Sequence, residues 1–333
     1  MTGWRERTER LTEKNEIIKT ARKLADDGLI VRSWGNVSCR AGGGSFFITA
    51  SGRDYRSMGE DDIAEVSVSD LSFRKGVVPS SEMRVHREVY RIKEDAGFVI
   101  HTHQSNASAV SAMGIREVML KQGRAFPSGK VICADYGPSG SAELAEACAS
   151  AAAETEGRAV IMRNHGALCW GRDAAEALEA AQELEKLCGD HLELMGIEQW
   201  KKEEKNTGAY RDEEGRLWNR HPVVLKITEE RDRLCAYLDD FAQIAGAFAD
   251  IKTDLKEDDI KTAEEQSVPL LIKGMGALCQ AARPEDEEAL FAVTEKNCRA
   301  ALAGWAAGAK PLDSRSCILM REKYVNSYSR LFK

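Results

Sequence analysis

The sequence predicts a layered α/β domain over residues 1–197, and three observations indicate it. A strand hairpin with a triple-glycine turn lies near the start of the chain. Short apolar runs further along have the length of buried strands. Segments with helical spacing of apolar residues separate these runs, and hairpins flanked by helices are typical of a sheet covered by helical layers.

The elements of this domain can be predicted in chain order. The first is a helix over about residues 4–28, where charge pairing and helical spacing of apolar residues end at the stop signal Asp27-Gly28. A hairpin follows, with strands predicted at 29–40 and 46–50 on either side of the glycines. Further helices are expected at about residues 82–94, 104–113, 140–153 and 173–195.

Composition and charge exclude several classes of protein. The 333 residues are 43% hydrophobic and 30% charged, as in an ordinary soluble protein, and the net charge of −7 argues against general binding to nucleic acid or to an anionic membrane. We find no apolar signal segment and no run long enough to span a membrane, so we expect a cytoplasmic protein. The nine cysteines include no Cys-x-x-Cys pair, which predicts reduced side chains and no cysteine-rich zinc site.

The sequence predicts three parts. Residues 1–197 form the α/β domain described above. Residues 198–220 are rich in Lys, Glu and Asp, and we expect them to be a charged, solvated linker. Residues 221–333 are predicted to be a degenerate half-repeat of the first part.

The half-repeat is predicted from two matches at one offset of 110 residues. Residues 271–279 echo residues 161–169, and residues 295–298 match residues 185–188. The histidine of the first copy is replaced by Met275 in the second. We therefore expect the second copy to repeat a scaffold, without a metal, and to pack its apolar face against the first domain.

Three histidines are the strongest functional signal in the sequence. His101 and His103 alternate at the end of the apolar run 97–100, so in a strand both side chains point to one face. His165 follows a second apolar run, just before a tight Asn-His-Gly turn. Three imidazoles with a spare carboxylate, Glu82, would form an open, catalytic type of metal site. The other histidines have no such context and are interpreted as ordinary side chains: His86, His191 and His221.

Five short motifs occur in the chain between about residues 8 and 196. They are Gly35-Asn36-Val37-Ser38, Thr49-Ala50-Ser51-Gly52, Ser80-Ser81-Glu82, His101-Thr102-His103 and Asn164-His165-Gly166. In order and spacing this set resembles the class II aldolase/adducin family. The resemblance implies a three-layer α/β/α fold with a mostly antiparallel sheet. It also implies a divalent metal, usually zinc (Zn²⁺), held by His101, His103 and His165, with Glu82 as the base.

The resemblance further implies a small phosphorylated sugar as substrate. It assigns phosphate binding to five residues: Asn36, Ser51, Gly52, Ser80 and Ser81. Short hydroxyl side chains and exposed N–H groups on glycine turns can bind an anion without basic residues. Hairpin turns and a helix cap near Glu82 explain the same residues, and capping is compatible with phosphate binding because both use the N-terminus of a helix.

The expected function is that of a metal-dependent lyase of the aldolase type. It would cleave or form a C–C bond through a metal-stabilised enediolate, with Glu82 moving the proton. Decarboxylation or dehydration of a sugar-acid or ketose phosphate stays open on the same site. Glu82 stands where the epimerases of the family carry Asp, which points away from epimerisation. A non-catalytic adducin-like interaction module is the alternative of another class, but the complete ligand set favours an enzyme.

The tyrosines depart from the pattern of the family's aldolases, which use one in mid-domain and one on a C-terminal tail. Residues 115–124 contain no tyrosine, and Tyr324 and Tyr328 lie at the end of the appended half. Family aldolases close their sites at subunit contacts, so we expect a homo-oligomer in which the half-repeat replaces one such contact.

Overall fold

The computed structural model of the protein describes residues 2–30, 34–197 and 208–328. In chain order the helices are α1 (Thr2–Asp26), α2 (Met83–Ile92), α3 (Ser105–Ser111), α4 (Ala142–Glu154), α5 (Ala174–Leu194), α6 (Pro222–Glu230), α7 (Asp239–Ala245), α8 (Glu257–Gln266), α9 (Pro284–Ala306) and α10 (Ser314–Lys323). The strands are β1 (Gly35–Ala41), β2 (Ser45–Thr49), β3 (Ile63–Ser67), β4 (Phe98–Thr102), β5 (Glu117–Met119), β6 (Lys130–Ala134), β7 (Ala159–Met162), β8 (Gly166–Gly171), β9 (Ala209–Arg211), β10 (Leu217–Asn219), β11 (Arg233–Cys235), β12 (Phe248–Lys252), β13 (Leu270–Ile272) and β14 (Gly276–Leu278).

The chain divides into two compact units. The first comprises residues 1–107 and 115–188, and the second comprises residues 108–114 and 189–333. The later change of unit therefore lies within α5 and not at residue 197.

The first unit is built on one mixed sheet. Its strand order is β3-β2-β1-β4-β8-β7-β6-β5, and the neighbouring strands pair antiparallel except for the parallel pair β6 and β7. One face carries the core of Phe46, Val99 and Trp170, against which α2 and α4 pack. The opposite face is covered by α1, where Arg10 and Lys14 lie over the ring of Phe47. The predicted three-layer α/β/α fold with a mostly antiparallel sheet is thereby confirmed.

The end of α1 differs from the sequence prediction. Leu29 was expected in a strand, but its N–H donates to the carbonyl of Leu24, and Gly28 has a φ of 71°. This arrangement closes the helix with a left-handed glycine and satisfies one of its last carbonyls. The first strand of the hairpin therefore begins at Gly35, six residues later than predicted.

Three adjacent strands bring the distant motifs to one end of the sheet. Asn36 at the start of β1 pairs with His101 near the end of β4, and His101 pairs with Leu168 of β8. A β-carbon at Gly166 would lie 2.2 Å from the carbonyl oxygen of Thr102. Glycine is therefore required where β8 approaches the end of β4, directly after His165.

The second unit has its own sheet, with strand order β11-β12-β13-β14-β10-β9. Strands β9 and β10 lie within the segment predicted to be a solvated linker, so that prediction was wrong for those strands; residues 198–207 lie outside the described residues. The hairpin was not predicted because residues 211–216 are mostly Arg, Asp and Glu, and its exposed edge strand carries little apolar signal. A small core contains Trp218, Ile272 and Leu278.

The sheets of the two units share a pattern of pairing. In the first unit Ile161 pairs with Ala167, and in the second Leu271 pairs with Ala277, at the predicted offset of 110 residues. The strand before each hairpin is parallel to it, β6 to β7 and β12 to β13. Descent of the second unit from a repeat stays a prediction, which these registers support.

The two hairpin turns also correspond. Asn164 and Gly274 both have left-handed φ values, 56° and 64°. The N–H of His165 donates to the carbonyl of Met162 at 3.1 Å, and that of Met275 donates to Ile272 at 3.0 Å. Met275 thus occupies the turn position that His165 occupies in the first unit.

Among the described residues, no helix combines the length and the apolar character needed to cross a lipid bilayer.

Candidate active site

His101 is oriented by the sheet itself. It lies on β4 on the same face as Val99, since side chains two residues apart share a face. Its Nδ1 lies 2.9 Å from the carbonyl oxygen of Ala167, which can only accept a hydrogen bond. Nδ1 therefore carries a proton, and Nε2, which points away from the backbone, is the nitrogen available to a metal, as in histidines that ligate metals.

His103 and His165 meet His101 from two sides. His103 follows the last residue of β4, and His165 is presented by the turn between β7 and β8, in which Asn164 adopts its left-handed φ. The Nε2 atom of His101 lies 3.0 Å from Nε2 of His103 and 3.1 Å from Nε2 of His165. All three side chains are buried.

The three imidazoles fit a single metal ion. Their ligand nitrogens all lie within 4.8 Å of one another. Nitrogens bound to one zinc ion at ~2.0–2.1 Å lie roughly 2.9–3.4 Å apart at angles between octahedral and tetrahedral. The two Nε2 separations given above lie in that interval. The proton of His101 on Nδ1 faces the Ala167 carbonyl, away from the other two histidines. An ion held by three histidines keeps coordination positions for substrate, which is the open form of site.

Glu82 lies directly beside the histidines, at the N-cap of α2. Its Oε2 is 2.9 Å from Nε2 of His101, and its Oε1 is 3.3 Å from Nε2 of His165. Ser139 donates a hydrogen bond of 2.8 Å to Oε1. Burial by itself would raise the pKa of the Glu82 carboxyl, but charge on His101 and His165 outweighs it and holds that pKa well below its usual range. The carboxylate is therefore ionised at neutral pH.

The two serine-containing loops lie side by side. Residues Ala50 and Pro79 form an isolated antiparallel bridge between them. The N–H of Ser51 donates to Val78, and the N–H of Ser80 donates to Thr49. The structure thus brings together four of the residues to which phosphate binding was assigned, ahead of the N-terminus of α2: Ser51, Gly52, Ser80 and Ser81.

Two of those four residues have distinct local features. Gly52 has a φ of 68°, a left-handed conformation that favours glycine. Ser80 accepts a hydrogen bond from the N–H of Glu82 through its hydroxyl, at 3.3 Å. Ser80 thus holds the backbone of the N-cap residue Glu82, although its side chain does not itself cap α2.

Asn36, the fifth residue, contacts Glu82 and His86. It is 4% exposed, and its Nδ2 donates to Oε2 of Glu82 over 3.4 Å. Its Oδ1 lies 2.5 Å from Nε2 of His86. Asn36 therefore links Glu82 to a histidine that the sequence analysis left as an ordinary side chain.

Several polar residues of the site were not found from the sequence. They are Ser38, Tyr55, His86, Tyr90 and Ser139. The hydroxyl of Tyr55 donates to the carbonyl of Gly35, and burial raises its pKa. One signal was available: Glu82, His86 and Tyr90 are spaced by four and share a face of α2.

The chain matches one protein family. The model of the Class II Aldolase and Adducin N-terminal domain matches residues 15–192, more than half of the chain. The chain therefore belongs to this family.

Relatives with assigned names agree with the family. An L-fuculose phosphate aldolase of Methanocaldococcus jannaschii is 34% identical over 52% of this chain and 92% of its own length. A 5-methylthioribulose-1-phosphate/5-deoxyribulose-1-phosphate aldolase of Escherichia coli is 32% identical over 57% of this chain and 87% of its own length. A solved L-fuculose 1-phosphate aldolase superposes with a TM-score of 0.51 at 27% identity, covering 56% of this chain and 87% of that one. Each of these matches spans between 52% and 57% of this chain.

Proposed function

We propose that this protein is a metal-dependent aldolase that cleaves or forms a C–C bond in a small phosphorylated sugar. The observation that carries the proposal is the ionised Glu82 carboxylate in contact with two members of a buried three-histidine cluster. The names of the relatives supply the substrate class, since each acts on a sugar phosphate by its name. A retained ligand set and carboxylate argue against a purely structural module.

His101, His103 and His165 would hold the ion. A divalent cation there would polarise the carbonyl and hydroxyl oxygens of the substrate. The histidines themselves contribute rigidity, because His101 is fixed by the Ala167 carbonyl and His165 by its turn. Their burial keeps bulk water away from the reacting atoms.

Glu82 is suited to move the proton. Cleavage needs a base that accepts the proton of the hydroxyl group next to the breaking C–C bond, while the electron pair of that bond passes to the carbonyl side. The carbon atom left there must then gain a proton. Ionised Glu82 can accept the first proton on a carboxylate oxygen, and the protonated form can deliver one in the second step.

The serine loops are proposed to bind the phosphate. Ser51, Gly52, Ser80 and Ser81 offer hydroxyl and backbone N–H donors, and the adjacent N-terminus of α2 favours negative charge. Asn36 can donate one hydrogen bond to the phosphate and another to Glu82, since its amide nitrogen has two hydrogens. The cytoplasmic location and the homo-oligomeric state expected from the sequence stay predictions.

The test is metal analysis of the purified protein, followed by a screen of ketose 1-phosphates and sugar-acid phosphates. We expect bound divalent metal, release of triose phosphate from a ketose 1-phosphate, and loss of both on treatment with a chelator. Release of CO₂ from a sugar-acid phosphate would replace the aldolase assignment by a decarboxylase on the same site. Turnover of dephosphorylated sugars at the same rate would overturn the phosphate site.

A further inference from the structure

A chain of buried polar side chains leads away from Glu82 between β1 and α2. Asn36 and Ser38 lie on one face of β1, and His86 and Tyr90 lie one and two turns along α2 from Glu82. All four side chains are buried, and His86 is 0% exposed. Burying polar side chains costs free energy unless each of them is hydrogen-bonded.

The contacts of His86 fix the direction of each hydrogen bond in this series of side chains. Oδ1 of Asn36 can only accept, so the Nε2–H of His86 donates to it over 2.5 Å. A neutral imidazole has one N–H, so Nδ1 accepts from the hydroxyl of Ser38 at 2.6 Å. The hydroxyl of Ser38 in turn accepts from that of Tyr90 at 2.7 Å. Burial lowers the pKa of His86 to about 3, which keeps the ring neutral as this pattern requires.

The orientation of the Asn36 amide follows from both of its neighbours. The Glu82 carboxylate can only accept, so Nδ2 of Asn36 must face it. The opposite orientation would set the amide oxygen against the carboxylate and the amide nitrogen against the His86 N–H. His86 thus selects the orientation in which Asn36 donates to Glu82.

These donors matter most when the cluster holds a cation, because a ring nitrogen that binds a cation has no hydrogen to donate to Glu82. In that state His101 has its one proton on Nδ1, which faces Ala167, and its Nε2 cannot donate. In that protonation state the Glu82 carboxylate is held by Ser139 on Oε1 and by Asn36 on Oε2. Loss of either donor would leave one carboxylate oxygen free to turn.

We infer that His86 is a positioning residue for Glu82, acting through Asn36 to hold the carboxylate in the orientation that proton transfer requires. The inference rests on the proposed function, since it assumes that Glu82 is the base. It assigns a role to a histidine that was interpreted from the sequence as an ordinary side chain. It also gives Asn36 a contact with the carboxylate in addition to any contact with phosphate.

Two amide substitutions at position 86 form a matched pair for the test. In His86→Gln the side-chain nitrogen reaches about as far as Nε2 and can still donate to Asn36, whereas in His86→Asn it reaches only as far as Nδ1. We expect His86→Gln to keep kcat within about threefold of the wild type, and His86→Asn to lower it about 10- to 100-fold, as for other residues that orient a metal-site group. KM and metal content should change little in both. Val89→Ala, a buried apolar change on the same helix, controls for lost packing and should leave kcat unchanged.

A measurement that does not depend on enzymatic activity distinguishes this inference from the proposed function. Nitrogen NMR of the zinc-loaded protein with ¹⁵N-labelled histidine should show His86 neutral, protonated on Nε2 and accepting on Nδ1. An inactive wild-type protein with this signature would overturn the proposed function alone. The inference itself would be overturned by the opposite tautomer, by equal loss of kcat in His86→Gln and His86→Asn, by a rise in KM instead of a fall in kcat, or by an equal loss in Val89→Ala.

Discussion

At the scale of single residues, the chemistry depends on keeping a charged carboxylate away from water. Glu82 is 4% exposed, and an isolated carboxylate so deeply buried would take up a proton. The positive charge beside it, on imidazolium groups or on a bound cation, keeps it ionised. The same charge therefore prepares Glu82 to accept a proton from a substrate.

Replacement of Glu82 by glutamine tests this role. Glu82→Gln keeps the shape of the side chain but cannot accept a proton, so kcat should fall by about 10²- to 10⁴-fold, as for loss of a general base. Metal content, measured by elemental analysis, should be unchanged. Glu94→Gln, at an exposed position just beyond α2, is the control and should behave as wild type. Retained turnover in Glu82→Gln would show that another group is the base.

Because His86 is neutral in the folded protein, we expect the free energy of unfolding to depend on pH. The folded protein does not protonate His86 until about pH 3, whereas the unfolded chain does so near pH 6.5. Between these values the unfolded state binds more protons, so the free energy of unfolding falls as the pH falls, by at most about 1.4 kcal/mol per pH unit from this residue. Denaturation of chelator-treated protein between pH 7 and pH 4 should show a shallower fall for His86→Gln than for wild type. Identical slopes would mean that His86 is not buried as a neutral ring.

At the scale of secondary-structure elements, α2 combines two functions. Its N-terminus faces the serine loops, and its buried face carries Glu82 and His86. The bridge between Ala50 and Pro79 ties the two loops together, so that both reach the same helix end. A phosphate bound there would hold the substrate at a fixed distance from the carboxylate.

Replacement of Ser81 tests the phosphate site. Loss of one hydrogen bond to a charged group costs about 1.5–3 kcal/mol, so Ser81→Ala should raise KM for a phosphorylated substrate about 10- to 100-fold with little change in kcat. Inorganic phosphate should raise the Tm of the wild type, and raise that of Ser81→Ala less. Ser69→Ala, at an exposed position after β3, is the control. An unchanged KM would remove Ser81 from the site.

The sequence predicted those parts of the site that depend on local geometry. His101 and His103 were predicted together because alternation along a strand needs only two neighbouring positions. The contact between Asn36 and His86 was missed because it joins β1 to α2 across 50 residues, and no local period encodes it. The short edge strands β5 and β9 were missed because each has three residues and mostly exposed side chains. Helix ends were predicted closely, since glycine and capping signals are local.

At the scale of the whole molecule, the second unit resembles the first in its strand register, but its described residues include no second cluster of three metal-ligating side chains. Met275 lies in the turn position of His165 and is 42% exposed. A thioether on an open turn is no substitute for a buried imidazole, so we expect no second metal. One metal ion per chain is the stoichiometry that this account predicts.

Removal of the second unit tests its role. If it replaces a subunit contact, truncation after residue 198 should alter the oligomeric state measured by light scattering and lower activity. The metal content of the shortened protein is the control, because it shows whether the three-histidine site has formed. A soluble, fully active fragment with an unchanged oligomeric state would show that the second unit is dispensable.

The most direct test of the central claim is anomalous X-ray diffraction from crystals of the metal-loaded protein, recorded on both sides of the absorption edge of the bound metal. The account predicts one anomalous peak per chain, about 2.0–2.1 Å from Nε2 of His101, His103 and His165 for a zinc ion, with the Glu82 carboxylate beside it. A peak at any other group of side chains, or a histidine cluster without one in protein that contains stoichiometric metal, would contradict it.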